Sequence, residues 1–330
     1  MIVFVTGATG FIGKHLVRRL LAEGHQVRCL ARSPARIRPL LEEGAEAVYG
    51  DVNDRQALLA GMQGCDWLFH LANLYSMWEP DRARFQRVNV DGTRLTLECA
   101  LEYGVKKVVY VSTIAVYGQP AEIPFNEKSE PGPVLFSEYA RTKAEANRTA
   151  WSLSLEKGLP LVVLYPGIVL GAGDDKASGH YIQDIIRRRV PSTIFHHSRS
   201  TYVHVADVVE AMVRAAEKPE TTGQKYLVGG VVIDGREFAE RIHQASGVPL
   251  PLFRFPDWLV VAVSYLLTWI ANIIKRPPLW GLSIDASNTL KHGFVFDGSR
   301  VTRELGVAYT PIQCALEEAV ESYRQQWKKQ

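Results

Sequence analysis

Tyr139 and Lys143, in Ser137-Glu138-Tyr139-Ala140-Arg141-Thr142-Lys143, are the first side chains whose types and spacing suggest chemistry. Four-residue spacing puts both on one face of a helix. A phenol titrates near ~10 and relays protons poorly at neutral pH. A neighbouring ammonium favours the phenolate and moves the phenol toward acid–base use. Thr113 follows the apolar run Lys107-Val108-Val109-Tyr110-Val111-Ser112, where its hydroxyl can hold the substrate oxygen that Tyr139 protonates or deprotonates. Such a Tyr/Lys pair arises often by chance, so its meaning depends on what accompanies it.

A glycine turn accompanies it. The run Ile2-Val3-Phe4-Val5-Thr6 reads as a strand. Gly7, Gly10 and Gly13 follow at three-residue spacing, and an amphipathic segment continues from Lys14 to Glu23. Strand, glycine turn and helix together offer backbone N–H groups and a helix N-terminus to a pyrophosphate. The second strand, from Gln26 to Ala31, ends without the carboxylate that would bond a ribose diol. Arg32 follows at once, with Arg36 and Arg38 close behind. A carboxylate repels a 2′-phosphate and a guanidinium grips it, so the pattern favours NADP(H) and leaves NAD(H) open. Asp51, after the third strand, either meets adenine or makes a turn.

The elements that must position these groups read as apolar strands at residues 26–31, 47–49, 66–72, 107–112 and 161–165. They alternate with helices at 34–43, 54–62, 83–103 and 138–157. Strands that are apolar throughout need cover on both faces, so the expected class is α/β, a doubly wound parallel sheet. Residues 1–165 are expected to form the dinucleotide-binding domain, with elements at about 200–230 returning to it. Residues 166–330 are expected to form mainly a smaller, mixed substrate domain. Short strands at 202–204 and 225–228 and helices at 206–217 and 237–246 continue the second half. Residues 166–179 read as a ligand-facing loop, in which Asp174-Asp175 makes a turn or gates the cleft.

Composition narrows the partners. The 330 residues carry a net charge of only +3, and no long basic run suggests nucleic acid. Arg187-Arg188-Arg189 fits a solvated helix end as well as an anion site. Cys29, Cys65, Cys99 and Cys314 lie far apart, so no metal is expected and a reduced, cytoplasmic protein is the economical reading. A first strand at Ile2 leaves no room for a signal peptide. His196-His197 is set aside, since adjacent side chains on a strand face opposite ways. Residues 258–274 are uncharged and mostly apolar, with Arg254, Lys275 and Arg276 flanking. A buried helix, a lip resting on a membrane and a span all fit, although the segment is short for a span and carries Ser264, Thr268 and Asn272.

Several pieces in order carry a family resemblance: Thr6-Gly7-Ala8-Thr9-Gly10-Phe11-Ile12-Gly13, Gly50-Asp51-Val52, His70-Leu71-Ala72, Asn89-Val90-Asp91-Gly92-Thr93, Val111-Ser112-Thr113-Ile114-Ala115-Val116-Tyr117-Gly118, Tyr139-Ala140-Arg141-Thr142-Lys143, Pro166-Gly167 and His204-Val205-Ala206-Asp207. The chain resembles the extended short-chain dehydrogenases/reductases of the epimerase/dehydratase superfamily, in the dihydroflavonol reductase and 3β-hydroxysteroid dehydrogenase-like branch. The resemblance makes Tyr139 the acid/base, Lys143 its tuner and ribose ligand, and Thr113 the catalytic hydroxyl. It implies cofactor contacts from Gly7, Thr9, Gly10, Phe11, Ile12, Gly13, Arg32, Arg36, Asp51, Val52, Leu71, Ala72, Asn89, Ser112, Tyr139, Lys143, Tyr165, Pro166, Gly167 and Val169. Asn89 is expected to support the active-site helix and its water relay, and a homodimer is expected.

The activity this implies is NADP(H)-linked hydride transfer at a secondary alcohol or ketone of an apolar small molecule. A sugar-nucleotide epimerase or dehydratase holding NAD is the alternative. Against it, Tyr165 stands where such enzymes usually carry arginine, and Arg199 lies one residue out of register. A regulatory protein that binds cofactor without catalysis is the third reading, and it has no need of Tyr139, Lys143 and Thr113 together.

Overall fold

Short strands that are apolar on both faces can fold only between two layers of helix, and the chain supplies both. The structure, a computed structural model, describes residues 1–328. The first half runs β1 (Ile2–Thr6), α1 (Phe11–Ala22), β2 (Gln26–Ala31), α2 (Pro34–Glu42), β3 (Glu46–Tyr49), α3 (Arg55–Met62) and β4 (Trp67–His70). A loop leads to α4 (Ala83–Phe85), a π-helical turn (Gln86–Asp91) and α5 (Gly92–Glu102). Then come β5 (Lys107–Val111), a 3-10 turn (Ile114–Tyr117), α6 (Glu138–Lys157) and β6 (Leu161–Pro166).

The second half continues with β7 (Ile168–Leu170), α7 (Ala177–Ile186), β8 (Ser192–Thr193), β9 (Arg199–His204), α8 (Val205–Glu217), β10 (Lys225–Val228) and β11 (Val231–Asp234). It closes with α9 (Gly235–Ser246), β12 (Phe253–Arg254), α10 (Asp257–Ile274), α11 (Ile284–His292) and α12 (Ile312–Lys328).

Seven strands form one parallel sheet in the order β10-β6-β5-β4-β1-β2-β3. Alternate residues of each strand enter different cores. Val3, Val5, Phe69 and Val109 pack with Leu16 and Leu20 of α1 and with Val208 and Met212 of α8. Phe4, Leu68, Val108 and Tyr110 pack with Leu58 of α3, Leu97 of α5 and Ala140 of α6. This is the doubly wound α/β architecture expected from the apolar strands. Strand order reverses between β1 and β4, which opens a crevice at the carboxyl edge, the place where such sheets bind ligands. A smaller sheet, β11-β9-β7, mixes parallel and antiparallel pairing and is backed by α7, α9 and α12.

Three local expectations change. The helix expected over 83–103 is interrupted by the π-helical turn, which turns Asn89 fully inward. The loop expected over 166–179 contains β7, paired to β9, and the start of α7. Asp174, buried in that segment, accepts from Lys176 N at 2.9 Å and Ser178 Oγ at 2.7 Å, a turn that opens the helix. His196 and His197 lie outside any strand, so strand alternation does not govern them. His196 Nε2 instead pairs with Thr193 Oγ1 at 2.6 Å.

Candidate active site

The glycine turn is fixed by close backbone approach. Gly7 has φ 78°, and a Cβ there would lie 2.7 Å from Ala72 N and 2.8 Å from the Leu71 carbonyl carbon. A Cβ on Gly13 would lie 2.2 Å from Gly7 O, so only glycine lets α1 pack back onto the turn. Gly10 N donates to Gly7 O at 3.0 Å, and Gly10 itself caps α1. Among the described residues no side chain caps that N-terminus, and no acidic residue stands in its first turn. Its positive end is therefore open to an anion, with Thr9 and Ile12 half-buried at its mouth and Phe11 buried beneath. A glycine cradle leading to an uncapped helix end fits a dinucleotide pyrophosphate.

At the ends of β2 and β3, Arg32 is exposed and its Nη1 lies 3.6 Å from Asp51 Oδ2. Asp51 Oδ1 also accepts from Asn53 N at 3.1 Å, so this carboxylate both makes a turn and faces the arginine. Arg38 pairs with Glu42 along α2 at 2.9 Å, which is the solvated helix role. Arg36 is exposed on the first turn of the same helix. Val52 is buried against Gly92 and acts as packing.

Tyr139, the expected acid–base residue, lies at the start of α6. Ser137 Oγ caps the helix by accepting from Ala140 N at 3.1 Å, and Asp285 Oδ2 accepts from Glu138 N at 3.0 Å. Tyr139 follows directly and is buried. Tyr75, from the loop after β4, packs edge-on against it with ring centroids 5.0 Å apart. Burial first, and Tyr75 second, push the Tyr139 phenol well above its ordinary value, while the facing Thr113 hydroxyl draws it partly back. Tyr139 therefore stays a protonated phenol at neutral pH.

Lys143 takes a different path from the one its spacing suggests. Its Nζ donates to Tyr110 OH at 2.9 Å and to Val111 O at 3.1 Å. A fully buried amine needs acceptors, and β5 supplies both. Burial lowers its pKa to about 7.

Tyr110 belongs to a buried polar chain that spacing did not reveal. Its ring stacks on His70 at 5.5 Å. His70 Nδ1 pairs with Thr6 Oγ1 at 2.7 Å and Nε2 with Thr93 Oγ1 at 3.0 Å. Burial, reinforced by Lys143, drops the imidazole to about 3, so it is neutral. Thr6 Oγ1 also accepts from Ala72 N at 3.3 Å. The last residue of β1, at the glycine turn, is thus linked through β4 and β5 to Lys143. The available signal was a polar residue closing each of two apolar strands, Thr6 and His70.

Asn89 pins two elements together. Its Oδ1 accepts from Leu74 N at 2.7 Å, and its Nδ2 donates to Leu74 O at 3.2 Å and Thr142 Oγ1 at 3.1 Å. It joins the loop carrying Tyr75 to the helix carrying Tyr139. Ser112 Oγ is buried at the end of β5 without a close hydrogen-bond partner among the described residues.

Along β6 and β7 the structure separates the expected contacts. The Tyr165 ring turns into the core, where its hydroxyl donates to Asn147 Oδ1 at 2.8 Å and accepts from Trp151 Nε1 at 3.1 Å. Its side chain braces α6, leaving only its backbone at the strand end. Pro166 closes β6. A Cβ on Gly167 would lie 2.4 Å from Thr201 O, and Val169 is half-buried against the core that also holds α1.

The strand-order reversal, the glycine turn and a buried Tyr139 facing Thr113 fit a nicotinamide-dinucleotide enzyme of the extended short-chain type. The model of the NAD dependent epimerase/dehydratase family matches residues 3–229, and the chain belongs to that family. The chain is 32% identical over 324 residues to a putative dihydroflavonol 4-reductase of Synechocystis, covering 96% of this chain and 93% of the relative. It is 28% identical over 329 residues to a 3-beta-hydroxysteroid dehydrogenase of Mycolicibacterium neoaurum, covering 94% and 87%. The solved UDP-glucose 4-epimerase of Thermotoga maritima superposes with a TM-score of 0.80, covering 99% of this chain and all of that one. At 22% identity this shows a shared fold. The protein is an NAD(P)-dependent enzyme of the dihydroflavonol reductase and 3β-hydroxysteroid dehydrogenase-like branch.

Proposed function

We propose that the protein catalyses reversible, NADP(H)-dependent hydride transfer at a secondary alcohol or ketone of an apolar small molecule. The reading is carried by the placement of Tyr139, buried at the start of α6 with the Thr113 hydroxyl facing it. When bound, the dinucleotide supplies or accepts the hydride at the carbonyl carbon. In the reducing direction Tyr139 donates its hydroxyl proton to the substrate oxygen, and Thr113 donates a hydrogen bond to the oxygen as it gains charge. Lys143, charged once cofactor and substrate add acceptors, offsets the phenolate left behind. Tyr75 and the loop held by Asn89 keep water from the phenol.

Arg32 supports NADP(H), since its exposed guanidinium can turn from Asp51 to a 2′-phosphate. The names of the dihydroflavonol and hydroxysteroid relatives support a polycyclic or lipid-like substrate. The fold shared with UDP-glucose 4-epimerase supports the alternative, a sugar-nucleotide enzyme with retained NAD. Within the favoured reading the protein is cytoplasmic and pairs as a homodimer through α5 and α6, with the exposed face of α10 open to a membrane.

A screen that follows reduced-nicotinamide absorbance with steroid-like ketones, flavonoid-like ketones and UDP-sugars, with both dinucleotides, tests the proposal. Consumption of NADPH with an apolar ketone is the expected result. A purified protein that retains NAD and turns over only UDP-sugars contradicts it.

A further inference from the structure

Helix α10 is built inside out. Its inward face consists of Val260, Ser264, Thr268 and Ala271, small or hydroxylated residues at helical spacing. Its outward face carries the large apolar ones: Trp258 is 71% exposed and Trp269 62%, with Tyr265, Leu266, Ile273 and Ile274 similarly open. Only 22% of the helix is buried, although its mean hydropathy is 1.6. A water-facing helix has the opposite arrangement, and an apolar patch of this kind marks an interaction surface.

The helix is not free to leave the body. Thr268 Oγ1 accepts from Ile284 N of α11 at 2.9 Å, and Asn272 Oδ1 accepts from Trp78 Nε1 at 2.9 Å. These bonds hold its polar side on the protein and aim the apolar side outward, the posture of a helix lying on a surface rather than crossing it. The segments on either side extend the patch, with Leu252 and Phe253 before it and Leu279 and Trp280 after it, all exposed.

Charge identifies the partner. Arg254 precedes the helix, Lys275 and Arg276 follow it, and all three are exposed. Trp280 Nε1 donates to Arg189 O at 3.0 Å, which brings the exposed Arg188 and Arg189 to the same rim. Asp257 is the single acidic residue of the helix. A second copy packed antiparallel on this face would set Arg254 of one chain against Lys275 and Arg276 of the other, an unfavourable pairing. An anionic bilayer meets both the basic rim and the apolar face, and indole rings prefer the interfacial depth they would occupy.

We propose that α10, with residues 252–255 and 279–280, docks flat on an anionic lipid surface. The proposal rests on the apolar-substrate reading in one respect: a bilayer is where such a substrate collects. Trp78, bonded to α10, lies in the same loop as Tyr75, which packs on Tyr139, so the docked helix borders the acid–base site.

Sedimentation of the full chain with vesicles tests this without any turnover, so it stands or falls separately from the substrate screen. Binding is expected to vesicles of phosphatidylcholine and phosphatidylglycerol in equal parts, to weaken in high salt, and to be weak on phosphatidylcholine alone. The exposed-site variant Leu266→Gln/Trp269→Gln should lose at least ~tenfold in binding, and Lys275→Glu/Arg276→Glu should lose the salt-sensitive part. Unchanged circular dichroism and dinucleotide affinity would show that both variants are folded. No vesicle binding, or equal binding by the folded variants, overturns the proposal. So does light scattering that shows a dimer dissociated by Leu266→Gln/Trp269→Gln, which would assign the face to a second copy. Resistance of the vesicle-bound chain to carbonate extraction overturns the surface posture in favour of a span.

Discussion

Tyr110 shows how a residue with no place in the Tyr/Lys spacing governs what that spacing does. It supplies one of the two acceptors that hold the Lys143 amine, and burial has already brought that amine down to about 7. Removing the hydroxyl takes away a partner of the charged form and lowers the amine further. Tyr110→Phe should therefore move the alkaline limb of kcat/KM to lower pH by roughly one unit, since a buried hydrogen bond to a charge is worth about 1.5 kcal/mol or more. A pH–rate profile of the free enzyme checks it, and an unmoved limb would show that Tyr110 only packs. The helical spacing of Tyr139 and Lys143 was legible because it lies within one element. The direction of Lys143 was not, because its acceptors come from β5. The joining of the His70 chain was hidden for the same reason: Thr6 and His70 stood out as polar strand ends, but Thr6, His70, Thr93 and Tyr110 come from four different elements.

Among elements, the glycine turn was legible nearly residue by residue, because each glycine answers a backbone contact rather than a distant side chain. Gly13→Ala would drive a Cβ to 2.2 Å from Gly7 O, and neither backbone can yield without moving α1 from β1. It should cost roughly 2–4 kcal/mol of stability and weaken dinucleotide binding more than tenfold. Gly24, at φ 80° with open space around it, should lose only about 1 kcal/mol as Gly24→Ala. Thermal melts and dinucleotide titrations of the two variants separate these outcomes, and equal losses would contradict a role for Gly13 in close packing. Other elements escaped reading for different reasons. β7 is three residues long and exists because β9 pairs with it. The π-helical turn preserves helical periodicity on either side, which hid the break. For α12 the signal was present, since Ile312, Ala315, Leu316, Ala319, Val320 and Tyr323 recur at helical spacing.

Across the whole molecule, apolar strands alternating with helices implied the parallel, doubly wound sheet, and the reversal of strand order between β4 and β1 places the crevice. Composition left the apolar segment near residue 265 undecided between core, lip and span. Only the inward placement of Ser264 and Thr268 separates an inside-out surface helix from a core helix of the same sequence. The glycine turn follows β1, Thr113 follows β5 and Tyr139 opens α6 facing Thr113, and the proposed chemistry rests on the last of these. Tyr139→Phe tests it most directly, because the ring and its packing against Tyr75 survive while the transferable proton is lost. NADPH oxidation with an active ketone should fall at least ~100-fold, with dinucleotide affinity and melting temperature nearly unchanged. A folded Tyr139→Phe enzyme that keeps full activity would contradict the account.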